Sequence, residues 1–208
     1  MTVLERLQQK RGEPAWEIAR LFPVQGEWTV EEYLALDTNQ LVEFSNGFVE
    51  VLPIPSPPHQ RIALFLYRIL WAFITEQRLG EVLVAPLPVE LWSKKFREPD
   101  LVFVSKEKLA HQSAKFWRNV DLVIEVVSPD DPERDYRDKR QEYARAGIAE
   151  YWIVDPQQKL VTVLVLQDEV YHLHAELKPG MHLSSVLLAG FTLPINDIFA
   201  AALPPFQS

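Results

Sequence analysis

The sequence contains no cysteine among its 208 residues. This absence excludes disulfide bonds, thiolate zinc sites and cysteine nucleophiles, and it agrees with a reducing cytosol. The N-terminal residues show no basic segment followed by an apolar run, so no signal peptide is expected. The longest apolar stretch, residues 62–74, is interrupted by Arg68 and is too short to span a bilayer. These features predict a cytoplasmic protein without a membrane-spanning segment.

Positive charge is also scarce, with 21 Lys and Arg against 29 Asp and Glu and a net charge of −8. Proteins that coat nucleic acid without specificity are usually basic, so the balance argues against that class. It does not exclude a nuclease, because acidic residues of a metal site lower the total charge while a local basic surface can still contact phosphate. The length is typical of one domain.

Hydrophobic periodicity divides the first part of the chain into three segments. A short helix is predicted over residues 29–38, and its first residue, a threonine, can cap it. Two runs of β-forming residues flank Asn46-Gly47 and predict a hairpin. After an extended connection over 53–58, apolar residues at helical spacing predict a long helix over 59–79, which Gly80 ends.

The second part of the chain alternates between apolar and turn-forming residues. Predicted strands lie within residues 81–93, 99–105, 120–128 and 150–155, and a second hairpin around Gln167-Asp168 precedes a tail with a strand and a short helix. The unbroken apolar run within 120–128 is typical of a buried central strand. A helix is predicted over 131–146, capped by Ser128, Asp130 or Asp131 and ended by Gly147. This order predicts an α/β fold with one central mixed β-sheet, helices on both faces and additional β-hairpins.

Two carboxylates occupy positions that an ordinary core would not favour. Glu125 lies inside the predicted central strand, although glutamate is seldom buried without a partner. An arginine partner or an exposed sheet edge would be a simpler explanation. Asp100 follows Pro99 at the start of another predicted strand, a dipeptide that is also common in turns. If the two strands are neighbours, both carboxylates can converge on one Mg²⁺ ion, which prefers oxygen ligands.

Further polar residues admit both functional and structural explanations. Lys139 shares a helix face with Asp135 and Glu142, and a Lys at a phosphodiesterase site can orient water or stabilise developing charge. A solvated Asp–Lys pair is the simpler alternative. Glu43 lies between apolar neighbours in the first hairpin and therefore needs a partner. The helix of Lys139 also carries four arginines, which suit a phosphate-facing surface as well as ordinary solvation: Arg134, Arg137, Arg140 and Arg145.

Two polar residues open the long helix directly after a Pro-Pro pair. His59 and Gln60 could contact a phosphate or a partner chain. A histidine at a helix start more often has a structural role, and the sequence leaves these explanations open.

Taken in chain order, Glu43, Pro99-Asp100, Glu125-Val126-Val127 and Lys139 resemble the PD-(D/E)XK restriction-endonuclease-like superfamily. The closer resemblance is to its Uma-type branch, which is expanded in photosynthetic bacteria. The matching segments are residues 42–62, 98–104 and above all 122–156. The resemblance covers a core over residues 28–200 of a single domain, 1–208, and leaves residues 1–27 as an N-terminal extension.

The resemblance implies a restriction-endonuclease-like fold with a four-stranded mixed sheet between helices. It further implies a catalytic set of Glu43, Asp100, Glu125 and Lys139, in which Asp100 and Glu125 hold Mg²⁺ or Mn²⁺ and Glu43 assists. The superfamily usually places its lysine two residues after the acid, where this chain has Val127. Lys139 on the next helix is the implied substitute. DNA is the implied substrate and a homodimer the implied assembly, with the apolar hairpins as a candidate interface.

The sequence therefore predicts a metal-dependent DNA endonuclease. A catalytically silent module on a nuclease fold, which binds nucleic acid or protein, is the alternative from a different class, and Val127 and the acidic net charge favour it. If the protein were a purely structural α/β scaffold, the carboxylate of Glu125 within an apolar strand would have no explanation.

Overall fold

The computed structural model describes residues 22–36, 38 and 40–204. Within these residues the chain alternates between short strands and a few helices. In chain order the elements are α1 (Val30–Tyr33), β1 (Val42–Ser45), β2 (Phe48–Val51), α2 (Pro57–Gln77), β3 (Gly80–Val84), β4 (Val89–Trp92), β5 (Lys95–Arg97), β6 (Leu101–Ser105), α3 (Lys106–Leu109), β7 (Trp117–Arg118), β8 (Leu122–Val126), a π-helical segment π1 (Arg134–Lys139), α4 (Arg140–Arg145), β9 (Glu150–Asp155), β10 (Leu160–Gln167), β11 (Val170–Leu177), β12 (His182–Ser184), β13 (Thr192–Pro194) and α5 (Ile195–Ala200).

The first helix is capped as predicted but is shorter than expected. The hydroxyl of Thr29 accepts a hydrogen bond from the backbone N–H of Glu32, and the Glu32 carboxylate accepts one from the backbone of Thr29. This capping box starts α1, which ends after one turn rather than continuing to residue 38. Asp37, inside the predicted helix, lies outside the described residues.

The long helix α2 begins two residues before the predicted start. Ser56 caps it by accepting a hydrogen bond from the backbone of His59, and prolines occupy its first positions, where no N–H is needed. The prediction that Gly80 ends this helix is wrong, because Arg78 adopts the left-handed conformation at the C-cap and β3 already starts at Gly80. A side chain at Gly80 would clash with the neighbouring strand, since its Cβ would overlap the carbonyl oxygen of Val104.

The central sheet has the strand order β11-β10-β9-β8-β6-β3. Its β8–β9 pair is parallel and its other pairs are antiparallel, which confirms the predicted mixed sheet. All five residues of β8 are buried between β6 and β9, so the predicted central position is confirmed. The four strands implied by the resemblance are too few, because six strands pair here.

A second sheet, with the order β2-β1-β5-β4-β7, packs beside the central one. The prediction of a single sheet was incomplete because β5 and β7 have only three and two residues, too few for a recognisable alternation. Val89 of β4 and Trp117 of β7 share a buried cluster with Val102 and Val104 of β6. This contact joins the second sheet to one face of the central sheet.

Helices cover both faces of the central sheet, as predicted. On one face α2 packs through residues such as Ile62, Leu66 and Leu70, together with the C-terminal part of the chain. On the other face α4 contributes Tyr143 and Ala144. Across the described ranges, no helix has both the length and the apolar character needed to cross a membrane.

The helix predicted over 131–146 is confirmed in position but not in type. Residues 132–145 are helical, and six of them, the π1 segment, follow a π-helical pattern. This segment begins inside the helix, after two α-helical residues, so its lack of a side-chain cap does not test the predicted caps Ser128, Asp130 and Asp131 at the helix start. Gly147, at a φ of 76°, ends the helix as predicted.

Both hairpins and the tail are confirmed. Asn46 and Gly47 form the first turn with φ values of 49° and 90°. The second turn lies at Asp168-Glu169, one residue later than predicted, because Gln167 pairs with Val170. The tail forms β13 and α5.

Candidate active site

Strand pairing brings Asp100 and Glu125 to one edge of the central sheet. The strands β6 and β8 are antiparallel, with Leu101 opposite Ile124. The start of β6 and the end of β8 therefore lie side by side. Asp100, directly before β6, accepts a hydrogen bond through Oδ2 from the backbone N–H of Val126 at 2.7 Å. Glu125 lies beside this contact and is only 2% exposed.

Lys139 of π1 reaches this edge from the covering helix. Its Nζ lies 2.9 Å from Glu125 Oε2 and 2.9 Å from Asp135 Oδ1. All three side chains are buried, so the alternative of a solvated Asp–Lys pair is wrong. A buried lysine held by two carboxylates is far more constrained than a surface pair.

Tyr143 completes the surroundings of Glu125. Its hydroxyl donates a hydrogen bond to Glu125 Oε1 at 2.5 Å, so each oxygen of this carboxylate has a different partner. Burial raises the pKa of Tyr143 and keeps it protonated as a donor. Sequence reasoning missed this residue, although it follows Lys139 by four positions and so shares its helix face.

The charges at this edge do not balance. Burial raises the pKa of Glu125, and the charges of Asp100 and Asp135 raise it further against the opposing effect of Lys139. Burial lowers the pKa of Lys139, but the charges of Glu125 and Asp135 outweigh burial and raise it, so this lysine remains protonated. Two carboxylates, Glu125 and Asp135, contact one ammonium group, and the charge of Asp100 acts on the same groups, an arrangement that an added cation would stabilise.

His59 contacts Asp100 from the first turn of α2. Its Nε2 lies 3.1 Å from Asp100 Oδ2, and the residue is 8% exposed. Burial lowers the pKa of His59, but the hydrogen bond and charge of Asp100 outweigh burial and raise it. Its Nδ1 has no hydrogen-bond partner among the described residues. Of the explanations that the sequence left open, the structure supports a contact within the chain, to Asp100.

Glu43 is paired with two arginines, although the charge of Lys139 also acts on it. It is buried on β1, and its Oε2 contacts the guanidinium groups of both Arg97 and Arg134. Its Oε1 accepts a 3.3 Å hydrogen bond from the backbone of Glu98. Burial raises the pKa of Glu43, but the charges of Lys139, Arg97 and Arg134 outweigh burial and lower it. The carboxylate is therefore ionised, and both of its oxygens already have partners.

A cleft of about 350 Å³ opens over the sheet edge. Asp100, Glu125, Asp135 and Lys139 line it, whereas Glu43 does not. Of the four residues predicted to act together, the structure thus brings three to one cavity and places the fourth behind it.

The donor set of the cleft suits a hard cation. Among the described residues, no group of three or more His, Asp or Glu side chains is arranged to hold a metal ion. Mg²⁺ needs only one or two carboxylates, because waters and substrate oxygens complete its coordination. Asp100 and Glu125, with an excess of negative charge around them, fit that requirement.

The four arginines of this helical region do not form one surface. Arg134 lines the cleft and binds Glu50 Oε1 at 2.5 Å in addition to Glu43. Arg137, Arg140 and Arg145 line a separate groove of about 760 Å³ beside β11. Only one of the four arginines is therefore placed to meet a phosphate in the cleft.

Comparisons with known proteins agree with this architecture. A family model described as "Uma2: Putative restriction endonuclease" matches residues 30–196. A crystal structure of "a putative nuclease belonging to DUF820 from Anabaena variabilis" superposes with a TM-score of 0.71 at 20% identity, over 85% of this chain and 99% of that chain. The structural match confirms the nuclease-type fold expected from the resemblance. No curated protein matches the chain significantly.

Proposed function

The chain belongs to the Uma2 family, and on that premise we propose that it is a Mg²⁺- or Mn²⁺-dependent endonuclease that hydrolyses phosphodiester bonds in DNA. One observation carries this proposal. Asp100, Glu125 and Lys139 come from three separate elements and line one cleft, where the carboxylates outnumber the cations. A scaffold without a ligand would gain nothing from such a buried excess of charge.

Asp100 and Glu125 would hold the metal ion. When bound, such an ion polarises the phosphoryl group and lowers the pKa of an attacking water. The protein fixes both ligands in advance: the backbone of Val126 and the ring of His59 orient Asp100, and Tyr143 orients Glu125. This preorganisation reduces the rearrangement needed when a phosphate enters.

Lys139 would supply the positive charge at the reacting phosphate. Its ammonium group stays protonated between Glu125 and Asp135 and has three N–H donors. Two donors suffice for the carboxylates, which leaves one for a water or a phosphate oxygen in the cleft. Lys139 thus orients the water or stabilises the charge that develops during cleavage.

For Glu43 the contacts favour a positioning role over the metal-assisting role that the resemblance implies. Its Oε2 contacts the guanidinium groups of Arg97 and Arg134, and, unlike Asp100 and Glu125, Glu43 does not line the cleft. We therefore propose that Glu43 acts through Arg134, which it holds near the site of the phosphate.

A catalytically silent module that binds nucleic acid or protein is the second candidate. It is favoured by the lack of a third metal-binding carboxylate or histidine among the described residues. In this case Lys139 would neutralise Glu125 and Asp135 permanently, and the cleft would bind without cleaving.

Cleavage of supercoiled plasmid in Mg²⁺ or Mn²⁺ separates the two candidates. We expect the wild type to nick the plasmid and Glu125→Gln to lose at least about a hundredfold in rate, the scale of a lost electrostatic contact in an active site. Glu150→Gln is a matched control, because Glu150 is equally buried in the neighbouring strand β9 and bonds to Trp152 and Leu187 outside the cleft.

Equal nicking by the wild type and Glu125→Gln would contradict the proposed site. Intact plasmid with every variant, under conditions where the metal binds, would favour the silent module.

The homodimer and the cytoplasmic location stay predictions. Exposed apolar side chains on both hairpins agree with an interface there: Phe48, Val51, Val170 and Leu173.

A further inference from the structure

A second cavity, of about 310 Å³, adjoins the cleft. The two cavities share four wall residues, Leu41, Pro55, His59 and Asp100. Asp100 is one of the proposed metal ligands, so a group bound in the second cavity would be a direct neighbour of the phosphate bound in the cleft.

The lining of this cavity is mainly apolar. On α2, Ala63 and Leu64 contribute to its wall, and Val84 and Ala85 face it from the end of β3. The exposed amide of Gln60 provides a hydrogen-bonding group at the same wall. Mainly apolar pockets with a few polar groups are typical of sites for small organic groups, and a glutamine side chain can hydrogen-bond to the edge of a nucleobase.

We propose that this pocket receives the base of a nucleotide next to the scissile phosphate. The substrate class is then a nucleic acid whose base is unpaired at the cleavage point: a single strand, or a duplex from which one base is flipped out. This inference rests on the proposed nuclease function and names the substrate of the same site.

The burial of Glu125 and Lys139 also favours a substrate with an unpaired base. Glu125 and Lys139 lie within the cleft and are almost completely buried. A base within a duplex is stacked on both faces and hydrogen-bonded at its edge, so it can fill the neighbouring pocket only after unstacking. A single strand avoids the cost of unpairing and unstacking and is therefore the preferred substrate.

Binding tests the pocket without requiring cleavage. A fluorescently labelled single-stranded DNA and the same strand annealed to its complement are titrated with protein by fluorescence anisotropy, with Ca²⁺ in place of Mg²⁺. We expect the single strand to bind at least about tenfold more tightly, and Leu64→Ala to weaken its binding by about tenfold, the lower end for a lost apolar pocket contact. Gln60→Ala should weaken binding in a manner that depends on the base sequence.

Trp71→Ala is the matched control. Leu64 and Trp71 are both large apolar residues of α2 and are 52% and 51% exposed, but only Leu64 lines the pocket. Trp71→Ala should bind the single strand like the wild type. Equal affinity for both forms of DNA, or equal affinity of Leu64→Ala and the wild type, would overturn the inference.

Cleavage of the same two substrates in Mn²⁺ separates this inference from the proposed function. A higher KM of Leu64→Ala on the single strand at unchanged kcat would support both. Failure of the wild type to cleave either substrate, with the binding differences present, would refute the nuclease and leave the pocket in place. Cleavage with equal efficiency on both forms would refute the pocket and leave the nuclease in place.

Discussion

Two clusters of charged side chains lie side by side in this molecule and differ in the balance of acidic and basic groups. The first, the cleft cluster, consists of Asp100, Glu125, Asp135 and Lys139. Its three carboxylates outnumber the two basic groups in contact with them, Lys139 and the imidazole of His59. The cluster lines a cavity, and burial together with carboxylate neighbours raises the pKa of Glu125.

The second, the arginine network, joins the second sheet to the helix that carries Lys139. Glu142 lies 2.6 Å from both Lys95 Nζ and Arg97 Nε, and Glu43 contacts both Arg97 and Arg134. The network is completed by the pair of Arg134 with Glu50. Three acidic and three basic side chains are thus directly paired.

Charged residues of the same types therefore have different roles in the two neighbouring clusters. In the arginine network each charge meets an opposite charge within the protein, which is what a structural role requires. In the cleft cluster carboxylates outnumber basic groups next to open space, and the raised pKa of Glu125 indicates that a proton or another cation is favoured there, as a site for a metal ion requires. Charge balance distinguishes the two clusters, because Arg134 and Glu50 of the arginine network also line the cleft.

Breaking the arginine network should have the largest effect on stability. Arg97→Ala removes a guanidinium shared by the buried Glu43 and the half-buried Glu142, while Arg134 and Lys95 remain as their partners, so we expect a loss of about 3 kcal/mol in the free energy of unfolding. Urea denaturation measures it. As a control, Arg118→Ala removes an exposed guanidinium 4.0 Å from Glu90 and should cost less than about 1 kcal/mol. Similar losses in both variants would show that the network is not structural.

Mg²⁺ should act only on the cleft cluster. At about one hundred times its Kd the ion should stabilise the wild type by about 2.7 kcal/mol, which thermal melting detects as a higher Tm. Asp100→Asn should abolish the increase, because its side-chain oxygen can still accept the hydrogen bond from Val126 but carries no charge. Glu43→Gln should keep the increase if Glu43 belongs to the arginine network. If Mg²⁺ no longer raised the Tm of Glu43→Gln, Glu43 would have the metal-assisting role that the resemblance implies.

The residues of the cleft cluster could be predicted from the sequence more readily than those of the arginine network. Glu125 stands out because a carboxylate interrupts an apolar strand, and Asp100 because it opens another. Their pairing depends on the adjacency of β6 and β8, two strong apolar strands that are close in sequence. Lys139 is placed by a helix whose end at Gly147 is evident from the sequence.

The arginine network depends on pairings that no local pattern reveals. Arg97 lies on β5, a three-residue strand with charged residues at both ends, and it meets Glu43 across 54 positions of sequence. Arg134 reaches Glu43 across 91 positions, from a π-helical segment whose altered periodicity changes which side chains face the sheet. Local sequence rules describe neither contact, so the partners of Glu43 could not be predicted.

A test with a smaller expected effect concerns Glu98, which lines the cleft and donates its backbone N–H to Glu43 of the arginine network. Its Oε2 accepts a hydrogen bond from the backbone of Val42 at 2.9 Å, and it lines the cleft. Burial raises its pKa to about 7, an effect that the charge of Glu43 strengthens and the hydrogen bond from Val42 opposes. The folded protein therefore holds a proton that the unfolded chain releases near pH 4.5, and the contribution of Glu98 to stability falls as the pH rises from there through about 7.

Glu98→Gln keeps the side-chain oxygen and removes this titration. Between about pH 5.5 and pH 8, the wild type should lose about 1 kcal/mol of stability relative to the variant, a figure reduced to allow for partial solvent screening. Urea denaturation at both pH values gives the difference. An unchanged difference would mean that Glu98 is ionised throughout, and that its negative charge belongs with the excess in the cleft cluster.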